Sequence, residues 1–210
     1  MEPTAILLDG HFTRLIIRNA INRHPKPEDI KTFCGGCLRG MERIHEVNYY
    51  EGGAYTGIQN LPISHEPMNF DIHPAHWMRV RFQRKLSANP FFKFKTSWSS
   101  FDRWQIRLEA IEEIQKNPRQ LRDDDFEPIL NEKQIDMKIG MEIVSLSIRK
   151  LVKKIILVTP DSDLIPAINF GRTENMFIIL VTGAYPSIRP ELVVACDEHR
   201  RVNLPSLFRA

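Results

Sequence analysis

Four aspartates are the residues of this chain whose type and position best support catalytic chemistry. Asp9 follows the apolar run Ala5–Leu8. Asp161 and Asp163 follow the β-branched run Ile155–Thr159. Both runs are typical of buried strands, and open α/β sheets bind ligands beyond the carboxyl ends of their strands. With a strand order of 3-2-1-4-5, the first and fourth strands are neighbours about 5 Å apart, and Asp9 faces Asp161.

The fourth aspartate, Asp136, lies near the start of a helix predicted over Lys133–Lys150, in line with Ile139 and Ile143. This stripe should face inward, where a carboxylate is costly without a cation or a hydrogen-bond donor. Converging carboxylates raise one another's pKa values, and a magnesium or manganese ion, which prefers oxygen ligands, removes that repulsion. Because such an ion orients water and neutralises charge on a phosphate, the set suits phosphodiester hydrolysis.

Each aspartate also has a structural interpretation. Asp9, taken alone, is typical of a turn. Asp161 can cap the helix that follows it, with Asp163 in the first turn of that helix. Asp136 can form an ion pair with Lys133 or with a neighbouring arginine. The joint placement at strand ends, rather than any one residue, therefore indicates a site.

Basic and aromatic residues concentrate between Arg79 and Lys95, a stretch with six basic residues, four phenylalanines and no acid. Basic side chains hold phosphates and aromatic rings stack on bases when a protein binds a single strand. The alternative is that the rings belong to the core and the basic groups to a solvated face. The predicted substrate-binding residues are Arg79, Arg81, Arg84, Lys85, Lys93 and Lys95.

Three cysteines and a histidine raise a separate possibility. Cys34 and Cys37 form a CxxC pair, and Cys196 with His199 gives a CxxH pair. Together these side chains have the composition of a tetrahedral zinc site. A single CxxC is weak evidence for zinc, and free thiols are the alternative.

Strands and helices alternate at both ends of the chain, where they position the aspartates. The predicted strands are Ala5–Leu8, Glu46–Tyr50, Ile155–Thr159 and Met176–Val181. The predicted helices are His11–Arg23, Phe101–Lys116, Lys133–Lys150 and Leu164–Arg172, with loops and short helices over the proline-interrupted Gln59–Pro90. Strands that are apolar throughout, alternating with helices, predict a doubly wound α/β fold with a parallel sheet covered on both faces.

Composition excludes several classes of protein. The 210 residues are 42% hydrophobic and 26% charged, which excludes a disordered chain. A net charge of +3 permits nucleic-acid binding without requiring it. Three cysteines cannot form a full disulfide framework, no apolar run reaches the roughly 18 residues of a membrane span, and no signal peptide is evident. We therefore expect a cytoplasmic protein that does not enter the membrane.

The chain resembles the NYN domain family, the LabA-like branch of the PIN-like nucleases. The segments that carry the resemblance are AILLDGHFTR at 5–14, EVNYYEGGAY at 46–55, EKQIDMKIGMEIVSLSIRK at 132–150 and KKIILVTPDSDLIPAINFGR at 154–172, followed by MFIILV. Residues 60–125 do not match clearly and are interpreted as a family-divergent insertion in a single domain spanning 1–210. The resemblance implies a PIN-like, three-layer α/β/α sandwich with a mostly parallel central sheet.

The resemblance also implies an activity, that of a metal-dependent ribonuclease acting on RNA. Its acids correspond to Asp9 and Asp161, expected to bind magnesium or manganese directly, and to Asp136 and Asp163, expected to act through water. A catalytically inactive module that binds RNA or protein is the alternative, and a phosphatase or nucleotide hydrolase is a third. A homodimer is compatible with this fold.

Two positions depart from the family pattern. Phe12 stands where many members carry asparagine, and Thr159-Pro160 replaces the usual Ser-Gly before the acid pair. Neither change removes a carboxylate, but Pro160 lacks a backbone N–H that could hold a phosphate. The departures bear on activity more than on fold.

Overall fold

Ten strands form within residues 1–183 and 188–208, the part of the chain that the computed structural model describes. In chain order they are β1 (Glu2–Asp9), β2 (Glu42–Gly52), β3 (Ile58–Asn60), β4 (Pro67–Asn69), β5 (Phe92–Ser97), β6 (Ser99–Ile106), β7 (Phe126–Glu132), β8 (Lys154–Val158), β9 (Phe177–Val181) and β10 (Glu198–Arg200).

Eight α-helices accompany these strands in the same described residues. They are α1 (Gly10–Ile21), α2 (Pro27–Cys37), α3 (Pro74–Ser87), α4 (Leu108–Lys116), α5 (Ile135–Arg149), α6 (Ile165–Thr173), α7 (Pro190–Ala195) and α8 (Leu204–Leu207). Short 3₁₀ turns cover Phe70–Ile72, Asp123–Asp125 and Ser162–Leu164. None of the helices in the described part of the chain is both long and apolar enough to cross a bilayer.

Six strands form one sheet in the order β10-β9-β8-β1-β2-β5. β1 is parallel to both β2 and β8, and β9 is parallel to both β8 and β10. Numbered along the chain within this sheet, the order is 3-2-1-4-5-6. The prediction that the first strand lies beside the strand preceding Asp161 is therefore confirmed.

Both faces of the sheet are covered by helices. On β1, Ala5 and Leu7 belong to one buried cluster, whereas Ile6 and Leu8 belong to another. The first cluster includes residues of α5, α6 and α7, and the second includes residues of α1, α2 and α8. Because strand side chains alternate between faces, these clusters lie on opposite sides of the sheet. The predicted three-layer α/β/α, PIN-like architecture is confirmed.

Local signals fix the ends of the helices beside the sheet. The Asp9 side chain caps α1 by accepting a hydrogen bond from the Phe12 N–H, and Asn22 ends that helix with a left-handed φ of 51°. Pro166 lies in the first turn of α6, where the missing N–H costs no hydrogen bond. These caps explain why the predicted helices of the two chain ends are found within a few residues of their expected bounds.

The chain divides into two compact units. The first unit comprises Met1–Glu51, Phe82–Thr96 and Gln134–Ala210, and contains almost all of the parallel sheet. The second unit comprises Gly52–Arg81 and Ser97–Lys133, and contains the antiparallel pairs β3–β4 and β6–β7. The single-domain organisation with an insertion at about 60–125 stays a prediction.

The helix predicted over Phe101–Lys116 is wrong in its first half. Residues up to Ile106 belong to β6, which pairs with β7, and only α4 is helical. The pairing register shifts between Phe101 and Arg103, which marks an irregularity at Asp102. Because Asp102 is an extra residue in the strand, Phe101 and Trp104 are three positions apart in the sequence. This spacing is typical of a helix, although both residues lie on a strand.

The segment Gln59–Pro90 is more ordered than its prolines indicate. It holds the β3–β4 hairpin and the 14-residue helix α3. Pro74 is the first residue of α3, a position at which proline is compatible with a helix. Prolines therefore mark the boundaries of elements here rather than the absence of elements.

Candidate active site

Asp9 is held at the carboxyl end of β1 by a close approach of two backbones. It lies opposite Tyr50 in the β1–β2 register, and the next residue, Gly10, begins α1. A Cβ atom on Gly10 would lie 2.6 Å from the Tyr50 carbonyl oxygen, so only glycine fits. The Asp9 Oδ1 atom accepts a hydrogen bond of 3.0 Å from Phe12 N–H. Asp9 therefore does cap α1, as the structural alternative predicted. The cap uses one carboxylate oxygen, Oδ1, and fixes the position of the side chain.

Asp161 follows β8 and is held in a similar way. Its N–H donates to the Thr159 Oγ1 atom at 3.1 Å, and its Oδ1 accepts from the Asp163 N–H at 2.8 Å. Thr159, which stands where the family usually has serine, is fully buried, and its hydroxyl anchors the loop. Asp163 itself is exposed. The loop therefore fixes the Asp161 carboxylate more firmly than that of Asp163.

Asp136 lies in the first turn of α5 and is exposed, contrary to the expectation that it faces inward. Ile135 and Ile139 are buried instead and complete the inward stripe of the helix. Since these residues are four apart, they share one helix face and leave Asp136 at its edge. Within the described residues, no lysine or arginine forms an ion pair with Asp136, so the pairing alternative is not found.

Three of the four aspartates interact with one another. Nearby protein atoms remove water from the Asp136 carboxyl, and this desolvation, with a hydrogen bond to Asp161 and the negative charges of Asp161 and Asp9, raises the pKa of Asp136 to about 6. The strand ends and the start of α5 therefore bring Asp9, Asp136 and Asp161 to one place. Asp163 does not contribute to this shift.

These carboxylates fit magnesium or manganese in charge and ligand type. Among the residues that the structure describes, no three His, Cys, Asp or Glu side chains form a group spaced to hold a metal ion. Magnesium keeps several water ligands and takes one or two carboxylates from many proteins. The site therefore fits an ion bound partly through water, and the mutual repulsion at Asp136 is what such an ion would relieve.

A buried ion pair beside Asp9 was missed by the sequence analysis. Glu51 follows Tyr50 at the end of β2, is fully buried and forms an ion pair with Arg14 of α1. A buried ion pair of this kind is costly to break and holds the start of α1 against the end of β2. The sequence signal that could have revealed this pair is the position of Glu51, an acid directly after the apolar end of a predicted strand.

Two further side chains near the site, Arg189 and Glu142, were not predicted as part of it. Arg189 is exposed and donates from its Nη1 to the Ser162 Oγ at 3.3 Å, which brings a cation to the loop between Asp161 and Asp163. Burial, and then the charge of Glu142, raise the pKa of Tyr50. Glu142 therefore lies beside Tyr50, the residue opposite Asp9 in the β1–β2 register.

The six predicted substrate-binding residues divide into two sets. Lys93 pairs with Glu46, Arg79 is engaged by an acid of the second unit, and Lys95 lies 3.6 Å from the Glu142 carboxylate. The other three, Arg81, Arg84 and Lys85, are exposed on α3 and form no ion pair within the described residues. Only the second set has its charge available to a phosphate.

The aromatic part of that prediction is corrected. Phe82, Phe92 and Phe94 pack in or against the core cluster on the α1 side of the sheet, so they are not surfaces for base stacking. Alternating positions on β5 place Phe92 and Phe94 inward, whereas Phe82 lies on α3 and Phe91 is exposed. The alternative interpretation, core rings with a basic face, therefore describes three of the four phenylalanines.

The zinc hypothesis is wrong. Cys34 and Cys37 belong to the buried cluster on one face of the sheet and Cys196 to the cluster on the other. All three are free, and burial raises the pKa values of Cys37 and Cys196 to about 12. His199 hydrogen-bonds to Thr182 at 2.8 Å. Because a sheet separates the two cysteine groups and their thiols are protonated, the free-thiol alternative is confirmed.

A family model described as the NYN domain matches residues 59–203. This chain belongs to the NYN domain family. The match contains Asp136, Asp161 and Asp163, and it also contains the segment at about 60–125 that carried no clear resemblance in the sequence. NYN domains are a nuclease-related family, and this chain has the nuclease-like fold of the family.

One solved structure supports the same architecture for this NYN protein. It is a protein of unknown function, VPA0982, from Vibrio parahaemolyticus RIMD 2210633. The two are 14% identical, with a TM-score of 0.50 over 94% of this chain and 90% of that chain. At this identity the similarity shows the fold alone. No curated protein matches the chain.

Proposed function

We propose that this NYN protein is a metal-dependent endoribonuclease that hydrolyses RNA phosphodiester bonds. The observation that carries the proposal is the position of Asp136, whose carboxyl interacts with those of Asp161 and Asp9. Acids from separate parts of the chain that raise one another's pKa indicate a place built for a cation. Membership of a nuclease-related family supports the choice of reaction.

In this proposal Asp9 and Asp161 hold a magnesium or manganese ion, because their loops fix both carboxylates. Such an ion supplies charge neutralisation and a more acidic water when bound. Asp136 accepts the proton of the attacking water, since its carboxyl lies within hydrogen-bonding reach of Asp161, beside the place where the ion would be held. Asp163, exposed beside Asp161, orients that water.

Substrate binding in this proposal falls to exposed cations. Arg189, anchored on Ser162, contacts the phosphate whose charge develops during the reaction. Arg84 and Lys85, exposed on α3, bind further phosphates of the RNA, and the exposed Arg81 of the second unit is expected to do the same. Since these contacts are electrostatic, RNA affinity should fall steeply as salt rises.

The test is cleavage of single-stranded and structured RNA in manganese, by wild type, Asp161→Asn and the control Asp102→Asn. Asp102 is an exposed acid beside Arg103, outside the aspartate group. We expect Asp161→Asn to lose activity by about 100-fold or more and Asp102→Asn to retain it. Cleavage that persists in Asp161→Asn or in chelator contradicts the site. Release of phosphate from mononucleotides, without RNA cleavage, indicates a phosphatase instead.

An inactive RNA-binding module is the second candidate, and two observations favour it. No metal-spaced group of three ligands occurs among the described residues, and Pro160 offers no N–H to a phosphate. This candidate predicts salt-sensitive RNA binding that is unchanged by manganese and by Asp161→Asn, with no cleavage. The same assay therefore separates the two functions.

A further inference from the structure

A cleft of about 410 Å³ lies within the second unit, apart from the aspartates. Its walls include the aromatic rings of Tyr55, Phe70, Trp104 and Phe126. The volume is in the range of small-ligand sites, which are roughly 300–1,000 Å³. Nothing in the proposed hydrolysis uses these rings, two of which, Phe70 and Trp104, lie in the segment 60–125 that carried no clear resemblance.

The rings of the cleft are held in fixed orientations. The Trp104 indole N–H donates to the Asn60 carbonyl at 2.8 Å, and its ring stacks near that of Phe70 with centroids 6.1 Å apart. Tyr55 meets Phe70 edge-on at 5.1 Å, and its hydroxyl accepts from Gln59 at 2.7 Å. Trp104 and Tyr55 are only half-buried, so a rigid, partly open aromatic surface lines the cleft.

Acids are also among the residues that line the cleft. Asp123 accepts hydrogen bonds from the backbone N–H groups of Ile63 and Ser64, which fix one of its oxygens. Glu127 is exposed on β7 and also lines the cleft. Carboxylates are acceptors only, so these side chains recognise a group with N–H donors and disfavour a phosphate.

Hydrogen-bond donors line the cleft as well. Arg79, which forms an ion pair with Glu132, and the imidazoles of His73 and His76 are among the lining residues. A guanidinium, even when paired, donates hydrogen bonds and disfavours a cationic ligand. The cleft therefore suits a neutral, flat ligand that has both acceptors and donors.

We propose that this cleft binds an unpaired guanine base. Guanine is flat and neutral, and it presents O6 and N7 acceptors of the kind that arginine recognises. Its N1–H and exocyclic amine supply the donors that Asp123 and Glu127 would accept, while a ring face stacks on Trp104. The inference rests on the proposed function only in taking RNA as the source of the base.

The other bases fit less well. Uracil lacks the exocyclic amine, and adenine and cytosine each present fewer adjacent N–H donors to a carboxylate. A carboxylate that a bound base covers without donating to it costs affinity, so the acids select guanine by what the other bases cannot supply.

The experiment is calorimetric titration of the full chain, in chelator, with the monophosphates of guanosine, adenosine, cytidine and uridine. We expect guanosine monophosphate to bind at least about tenfold more tightly than the others. Glu127→Gln should weaken guanosine monophosphate binding by about tenfold, whereas Glu112→Gln, an exposed acid outside the cleft, should not. Trp104→Leu should weaken binding of every base by about tenfold, with folding checked by circular dichroism.

A second set of titrations separates the sources of the base and the competing ligands. A uridine oligomer that carries one guanine should bind more tightly than all-uridine, which shows that a base within RNA reaches the cleft. Equal binding of all four monophosphates, no binding of any, or binding of tetramethylammonium alone would each overturn the proposal. Because the titrations use no metal and can be repeated with Asp161→Asn, failure of the proposed nuclease activity leaves this result unchanged.

Discussion

The two ends of the parallel sheet treat their carboxylates in opposite ways. Glu2, Glu42 and Lys154 are the first residues of three neighbouring strands, β1, β2 and β8. Lys154 contacts both acids, at 2.6 Å and 3.2 Å, and Glu42 also receives two hydrogen bonds from the buried Arg200. Burial alone would raise the pKa of Glu42, but the hydrogen bonds from Arg200 and its other partners lower it to about 2.

At the carboxyl end of the same strands, acids meet acids. Asp161 and Asp9 add to the desolvation that raises the pKa of Asp136 to about 6. Acids neutralised within the protein hold the fold together, whereas acids that repel one another need a cation from outside. The contrast supports the proposed site at the carboxyl end of the sheet without reference to any relative.

The largest expected effect breaks the neutralised end. Glu42→Gln removes a charge partner of Arg200, whose side chain is 2% exposed, and should lower the free energy of unfolding by about 3–5 kcal/mol. Chemical denaturation at neutral pH measures this change. Glu2→Gln, which removes a more exposed partner of Lys154, is the control and should cost less than about 1 kcal/mol.

The same variant gives a pH test of this end of the sheet. The pKa of Glu42 is depressed from 4.5 to about 2, so the stability that it contributes is present above 4.5 and is lost as the pH falls towards 2. The difference in Tm between wild type and Glu42→Gln should therefore narrow over that interval. A constant difference down to pH 2 would mean that the ion pair is not its cause.

A smaller and opposite effect is expected at the repelling end. The pKa of Asp136 is raised from 3.8 to about 6, so its carboxyl destabilises the metal-free fold as the pH rises through this window, fully above 6. Asp136→Asn in chelator should raise Tm at pH 7 by up to about 2 °C, since solvent screens the exposed group, and should have no effect at pH 3.5. Asp102→Asn controls for the loss of a surface charge.

The smallest expected effect extends the comparison to the cations. Arg84→Gln, at an exposed position on α3, should weaken RNA binding and reduce the slope of log affinity against log salt by about one. Lys93→Gln removes a lysine that already pairs with Glu46, so the slope should change less. Equal changes in the two variants would show that the pairing does not govern which cations reach RNA.

Much of the first unit could be predicted from the sequence because its signals are local. Apolar runs such as Ile155–Val158 mark buried parallel strands, and Asp9 and Asp161 follow two of them directly. The order of elements then placed these two acids on neighbouring strands. The sequence pattern drew attention to Asp136 because it predicted an inward position for this acid. In the structure Ile135 takes the inward position and Asp136 stays at the surface.

The rest depended on contacts between distant residues. Nothing near Lys93 in the sequence shows that Glu46 neutralises it, and nothing near Arg14 shows its pairing with Glu51. The irregular register at Asp102 gave a strand the spacing of a helix. Charge pairing and strand register are tertiary properties, and they decided which predicted residues remain available for binding.

The central claim is that the carboxylates at the carboxyl end of the sheet bind a divalent cation. A crystal soaked in manganese and measured for anomalous scattering tests it most directly. We predict one peak between the carboxylates of Asp9 and Asp161, with the Asp136 side chain close enough to share a bound water. A map with no peak there at saturating manganese, or with an arginine or lysine side chain in that position, would contradict it.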